Sequence, residues 1–228
     1  MLTALGGEDN KGEKDWARVL ELIQARPEAA TEKSKCHRAI PLRYAASREA
    51  PIDVFIAIFE AYPDGAKEKD EDGNLPLLYA INSKLPDIVR MLLEAYPDGA
   101  KEKEKYGNLP LHVANTGEVA LALLEVYPDG AKEKNNDGNL PLHFANTGEV
   151  TLALLEAYPD GVKEKNNEGN LPLHFAKTEE VALALLEAYP DSAKEKEKYG
   201  NLPLHYAVNE NRSGVDHLLL EAYPDGAK

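Results

Sequence analysis

Val126-Tyr-Pro-Asp-Gly-Ala-Lys-Glu-Lys-Asn-Asn-Asp-Gly-Asn-Leu-Pro-Leu-His-Phe-Ala-Asn-Thr-Gly-Glu-Val-Thr-Leu-Ala-Leu-Leu-Glu156 is one copy of a unit that recurs along the chain. Its Tyr-Pro-Asp marker stands at Tyr62, Tyr96, Tyr127, Tyr158, Tyr189 and Tyr223, in steps of 34, 31, 31, 31 and 34 residues. A fixed period in this range denotes stacked structural units, each burying its apolar side only against its neighbours. Such a chain has no single core pocket, and its residues serve the stack or a long outer face.

Within the unit, Pro141 suits the first turn of a helix, where its missing N–H costs nothing, so Pro141 to about Asn146 reads as a short helix. Thr147-Gly148 breaks it. Glu149 to Tyr158 carries Val150, Leu152, Leu154 and Leu155 with Ala153 between, a helix apolar on most faces and therefore expected to be covered on both sides. Pro159 ends it, because the residue before proline is pushed out of the helical region. Pro-Asp-Gly then reads as a turn with glycine in the conformation closed to other residues. Lys132-Glu133-Lys134 reads as a solvated extended finger leading to a hairpin-type turn at Asp137-Gly138.

The run Asp137-Gly-Asn-Leu-Pro-Leu-His-Phe-Ala145, followed by a Leu-Leu-Glu helix, resembles the ankyrin repeat, whose signature reads Gly-x-Thr-Pro-Leu-His-x-Ala. It recurs at Pro41-Leu42, Pro76-Leu77, Pro110-Leu111-His112, Pro141-Leu142-His143, Pro172-Leu173-His174 and Pro203-Leu204-His205. The resemblance covers about residues 15–228 and implies an all-α fold, a right-handed α-solenoid of about six stacked helix-turn-helix repeats with hairpin-like finger loops. On this reading residues 1–14 are a flexible N-terminal segment, and a cap helix spans about 15–25 with Trp16 plugging the end of the stack. Repeats then start near 39, 74, 108, 139, 170 and 201 in one array. The sequence departs from the family in two ways. The threonine before the proline is Leu75, Leu109, Leu140, Leu171, Leu202 or Ile40, which removes a helix cap worth ~1 kcal/mol and leaves the preceding Asn as a candidate substitute. The three central repeats also lack three residues between their helices, so their first helix should be little more than one turn.

Net charge is −14, from 26 basic against 40 acidic residues. Residues 1–50 hold 9 basic and 8 acidic groups, leaving 17 and 32 for the repeats. Nucleic acid and anionic membranes are disfavoured as partners, since both are bound through clustered Lys and Arg. Cys36 is the single cysteine, so no intrachain disulfide or multi-cysteine zinc site can form. Beside His37 it is expected to be an inert loop thiol. No apolar run approaches the ~20 residues of a membrane span, and no secretory signal opens the chain. These features give the expectation of a soluble intracellular protein, in the cytoplasm or an organelle lumen or stroma.

His112, His143, His174 and His205 occupy one slot of successive units. Stacked helices lie ~8 to 10 Å apart and zinc holds imidazole nitrogens at ~2 Å, so the row cannot converge on one ion. The resemblance implies instead that each histidine bridges backbone groups of neighbouring repeats. No nucleophile elbow, Gly-rich phosphate loop or isolated acid pair is present, and no catalytic activity, cofactor, metal or small-molecule substrate is expected.

Between residues 95–125 and 126–156, 25 of 31 positions are identical, and three of the six changes fall at the finger tip, Glu104-Lys105-Tyr106 becoming Asn135-Asn136-Asp137. The tip is read as free of stacking duty. Tyr106 and Tyr199 place aromatics where solvent is expected, and aromatics are favoured interface anchors. The candidate partner-binding residues are Tyr106, Tyr199, Lys105, Lys198, Asn135, Asn136, Asn166 and Asn167 on the fingers, with Asn115, Asn146 and Lys177 on the first helices. Drift after duplication accounts for the same differences, and the sequence leaves both readings open. The expected function is a non-catalytic module that binds a protein partner through fingers and first helices. The alternatives are a structural spacer subunit of a large assembly and a segment of a longer regulatory protein, the latter suggested by the abrupt Tyr223-Pro-Asp-Gly-Ala-Lys228 ending.

Overall fold

The computed structural model describes residues 15–34 and 38–227. The expectations for residues 1–14 and for Cys36 beside His37 lie outside the described residues. Among the described residues the regular elements are all helical, α or 3-10. The contacts divide the chain into two compact units, residues 1–105 and 106–228.

The first unit opens with α1 (Trp16–Ala25), capped by the Asp15 side chain. Two helix pairs follow, α2 (Pro41–Ser47) with α3 (Ile52–Ala61), and α4 (Pro76–Asn82) with α5 (Pro86–Ala95). In the second unit, one-turn 3-10 helices at Pro110–Val113 and Pro141–Phe144 precede α6 (Gly117–Val126) and α7 (Gly148–Ala157). The one-turn α8 (Pro172–Phe175) precedes α9 (Glu179–Ala188), and α10 (Pro203–Asn209) precedes α11 (Val215–Ala222). First helices pack against first helices and α6, α7, α9 and α11 against one another in order, so this unit has two helical layers. Leu109, Leu140 and Leu171 fill the space between layers with Leu123, Leu154 and Leu185, all at most 2% exposed.

Repeat length decides how the two helices of a pair are joined. In the longer repeats the first helix has seven residues and ends in a Schellman motif, in which a left-handed residue lets two N–H groups fold back on the last turn. Lys84 N–H bonds Ile81 O at 3.0 Å and Leu85 N–H bonds Ala80 O at 3.1 Å. The left-handed residues are Glu49, Lys84 and Asn211, with φ of 55°, 57° and 52°. The 31-residue repeats lack these residues, and their first helix stops after one turn, as the missing residues require. Asn115, Asn146 and Lys177 therefore sit in the connection after the first helix and not on it, which corrects their expected placement. Thr116, Thr147 and Thr178 cap the next helix instead, each Oγ1 accepting the N–H three residues on.

Every second helix ends at the tyrosine of Tyr-Pro-Asp, and the next five residues form a 3-10 turn. The glycine of that turn is not in the left-handed region. It is a close-approach position, where a Cβ on Gly161 would meet the Tyr158 ring at 2.9 Å. Ser192 takes this place in the fifth copy, and its hydroxyl bonds Tyr189 O. The left-handed glycines are at the finger turns, Gly138 having φ of 78°, apart from Gly214 just before α11. The helix read as covered on both sides is not: Leu121, Leu152 and Leu183 are 55%, 59% and 47% exposed.

Candidate binding surface

In four of the repeats the finger is a hairpin-like loop closed by its own first tip residue. In the repeat near 139, Asn135 N–H bonds Asn139 O at 3.0 Å while Asn135 Oδ1 accepts the N–H groups of Asp137 and Asn139 at 3.0 and 2.9 Å. Asn166 does the same for Glu168 and Asn170, Asp70 for Asp72 and Asn74, and Glu197 for Tyr199 and Asn201. Asp, Asn and Glu all present an oxygen here, so the tip sequence varies while the turn is kept.

Adjacent tips also bond to one another, so the expectation that they are free of stacking duty is corrected. Asn135 and Asn166 are buried, and their Nδ2 groups donate to Asn108 and Asn139 Oδ1 at 2.7 and 2.8 Å. Asn136 N–H bonds Tyr106 O at 3.1 Å, Asn167 N–H bonds Asp137 O at 3.0 Å, and Lys198 N–H bonds Glu168 O at 2.9 Å. A Cβ on Gly107 would collide with the Asn136 side chain. The Lys-Glu-Lys run, read as merely solvated, carries ion pairs from repeat to repeat. Lys134 meets Glu164 at 2.9 Å, Lys165 meets Glu195 at 2.8 Å, and in the first unit Lys69 meets Glu102 at 2.7 Å. Such half-exposed pairs contribute ~0 to 1 kcal/mol each.

The Leu before each proline caps nothing, and the Asn before it serves the tip ladder rather than the helix. The histidine does not replace the missing threonine cap, which would accept an N–H of the first turn; it accepts the N–H of the residue before the proline. His143 Nδ1 accepts the Leu140 N–H at 3.1 Å, which fixes the neutral tautomer with hydrogen on Nε2, and that group donates to Asn170 O at 3.2 Å in the next repeat. His112 bridges Leu109 and Asn139 in the same way. Burial pushes His143 and His174 down to about 4, so both are neutral at physiological pH. At His174 the Nδ1 bond is kept but Nε2 makes no hydrogen bond of normal geometry. Among the described residues no group of three or more His, Cys, Asp or Glu could hold a metal ion, and no helix is long and apolar enough to cross a membrane.

Two of the sequence-selected residues stand out by exposure. Tyr106 and Tyr199 are 60% and 73% exposed at their finger tips, and Lys198 Nζ lies 6.0 Å from the centre of the Tyr199 ring. Lys105 Nζ pairs with Asp72 at 3.2 Å. Asn136, Asn146, Asn167 and Lys177 are exposed and Asn115 half-buried. At the last repeat an open groove of about 450 Å³ is lined by Asn201, His205, Tyr206 and Asn209. The tip pattern of Asp, Asn and Glu was the overlooked signal that these residues serve the turn.

A finger, a short first helix opened by Pro-Leu-His and an antiparallel second helix, repeated with neighbour-only packing, define the architecture. The fold is that of ankyrin repeats. The ankyrin repeat domain of Bcl-3, described as a unique member of the IkappaB protein family, is similar at a TM-score of 0.59 and 21% identity, covering 84% of this chain and 88% of that one. No family model matches the sequence. No curated protein matches it either.

Proposed function

We propose that this chain is a non-catalytic protein–protein interaction module that holds a protein partner on its finger tips and the adjoining first-helix connections. The observation that carries the reading is the exposure of Tyr106 and Tyr199 at tips whose backbones are fixed by the stack. A rigid, exposed aromatic loses little freedom on binding and brings a large apolar area, which is why tyrosines concentrate in interface hot spots. The groove at Asn201, His205, Tyr206 and Asn209 lies in the same repeat as Tyr199 and extends that surface. The acidic repeats argue against nucleic acid. A lone cysteine in 228 residues suits a reducing, intracellular setting.

The test starts with affinity purification from the native source and mass spectrometry to obtain the partner. Titrations should then rank Tyr106→Ala and Tyr199→Ala as large, at ~2 kcal/mol or more each. Lys132→Ala, which loses only an exposed pair with Asp129, should cost under ~1 kcal/mol. If both tyrosine variants bind the partner as the parent does, the finger reading is wrong.

A further inference from the structure

Leu121, Leu152 and Leu183 hold the same position in three successive second helices of residues 106–228, and α6, α7 and α9 pack side by side in that order. The three leucines therefore form a row across the helices, on the layer opposite the first helices. Packing does not demand leucine there, because the equivalent places in other repeats hold the exposed Arg90 and His217 as well as the half-buried Ile56. One turn before and one turn after each leucine stands an exposed glutamate, making two acidic rows, Glu118, Glu149 and Glu180 on one side and Glu125, Glu156 and Glu187 on the other. At the first row the neighbouring helices approach closely: Gly117 leaves room for the Glu149 side chain, whose Cβ would stand 2.8 Å from an added Cβ, and Gly148 faces Glu180 at 3.4 Å. No lysine or arginine occurs in α6, α7 or α9.

We propose that this second-helix face is a docking surface for a basic amphipathic helix, with apolar residues seated on the leucine row and lysines or arginines against the two glutamate rows. Neighbouring packed helices are ~8 to 10 Å apart, and a helix rises ~1.5 Å per residue. The leucine spacing thus matches a partner whose apolar residues recur about every seventh position, lying across the three helices. Glutamates three residues before and four after each leucine lie ~5 to 6 Å along the axis on either side, where the flanks of a helix laid on the row would fall. Helix-on-groove recognition uses this combination of an apolar stripe with charged margins. Charge selects the occupant. A second copy of this chain, or an anionic lipid surface, would set negative charge against the glutamate rows.

The probe is a fluorescein-labelled synthetic helix with leucine at every seventh position flanked by lysines, titrated by anisotropy against the full chain. A scrambled peptide of the same composition, and a version with glutamate for lysine, should each bind at least ~10-fold more weakly. Combined Leu121→Gln, Leu152→Gln and Leu183→Gln should lower affinity roughly 100-fold with an unchanged melting temperature, since the three residues are exposed. Combined Glu125→Gln, Glu156→Gln and Glu187→Gln should cost roughly 10-fold at low salt and less at high salt. Tyr106→Ala with Tyr199→Ala should leave this binding unaltered, so failure here leaves the finger reading standing, and the reverse. Equal binding of the scrambled or acidic peptide, full binding by the leucine variant, or loss confined to the tyrosine variant overturns the proposal. So does a leucine-dependent self-association seen by sedimentation.

Discussion

In residues 15–105 the first helix is tied to the next finger by charge. Arg43, in the slot of the histidines, sends Nη2 to the Tyr79 hydroxyl at 3.0 Å and places Nε 3.6 Å from Asp70 Oδ2, while Tyr79 donates to that same oxygen at 2.6 Å. The guanidinium also lies over the Tyr44 and Tyr79 rings. In residues 106–228 the same task is done by neutral groups, His112 and His143 to backbone carbonyls and Asn135 and Asn166 to asparagine side chains. An Asp at the tip is matched by Arg and Tyr. An Asn is matched by His. Glu197 stands beside the neutral His174 without an Arg partner of that kind, so the slots are not locked to each other, but the two links should fail under different conditions.

Acid should have the largest effect, and it should strike the neutral link. His143 and His174 are held near 4 when folded against ~6.5 unfolded. Their folded values are depressed, so the stabilisation is complete above about pH 6.5 and is lost as pH falls towards 4. At pH 5 the loss is about 2 kcal/mol for each histidine, following from ~1.4 kcal/mol per pH unit. Trp16, the only tryptophan, lies in the first unit and reports on it alone. Urea midpoints by far-UV circular dichroism should drop between pH 7 and pH 5 by more than the Trp16 fluorescence midpoint does. A circular dichroism midpoint unchanged over that range would remove the buried neutral histidines from the explanation.

Charge removal should have the next largest effect, confined to the first unit. Arg43→Met leaves the Asp70 carboxylate, whose side chain is 3% exposed, without its cation, and breaking such a pair costs about 3 kcal/mol. Adding Asp70→Asn, which recreates the tip residue of the second unit, should restore more than half of that loss in thermal melts. If the two changes are simply additive, the coupling drawn here is absent.

The architecture was legible because its signals are local and repeated. Pro141 at a helix start, Pro159 after a helix end and the 31- to 34-residue period each act within a few residues or along the chain. The one-turn first helices followed from the three missing residues. What escaped were duties that depend on the neighbouring unit. Asn135 looked like an exposed tip residue, and its burial comes from Asn108 in the preceding repeat. Leu152 looked like core, because the composition of a helix does not say which of its faces the next helix covers. Glycine in Pro-Asp-Gly looked like a left-handed turn residue, while it is a place of close approach to the Tyr158 ring that Ser192 also fills in the fifth copy, which only packing reveals.

The junction between the repeats near 170 and 201 offers a smaller test. Glu197 replaces the asparagine of earlier tips, and a carboxylate has no hydrogen to give, so Asn170 Oδ1 is buried there without a hydrogen bond. Arg212 strengthens the same junction, with Nη1 donating to His174 O and Ala176 O at 2.8 and 2.9 Å. Glu197→Asn keeps an oxygen for the turn and adds a donor for Asn170. It should raise stability by about 1 kcal/mol, the cost of one unmet buried acceptor, and Asn166→Glu should lower it by a similar amount. A neutral Glu197→Asn would break the analogy between the two tips.

The smallest effect separates the connections of the longer repeats from those of the 31-residue ones. Glu49 and Lys84 occupy left-handed positions that cost residues with a Cβ ~1 kcal/mol or more, whereas asparagine and glycine accept them readily. Both side chains are exposed, so replacement removes no core contact. Lys84→Gly and Glu49→Gly should each stabilise by about 0.5 to 1 kcal/mol, the relief of strain being partly offset by the greater freedom of glycine in the unfolded chain. Asn211→Gly, at the same position of the last repeat, should gain less, because asparagine is already the tolerated residue. In the 31-residue repeats the corresponding lever is the threonine cap, and Thr147→Ala should cost about 1 kcal/mol. Chemical denaturation of the four variants ranks them. Equal gains at Lys84 and Asn211 would mean that backbone strain does not distinguish these connections, and the role given to the three extra residues would have to be sought in packing.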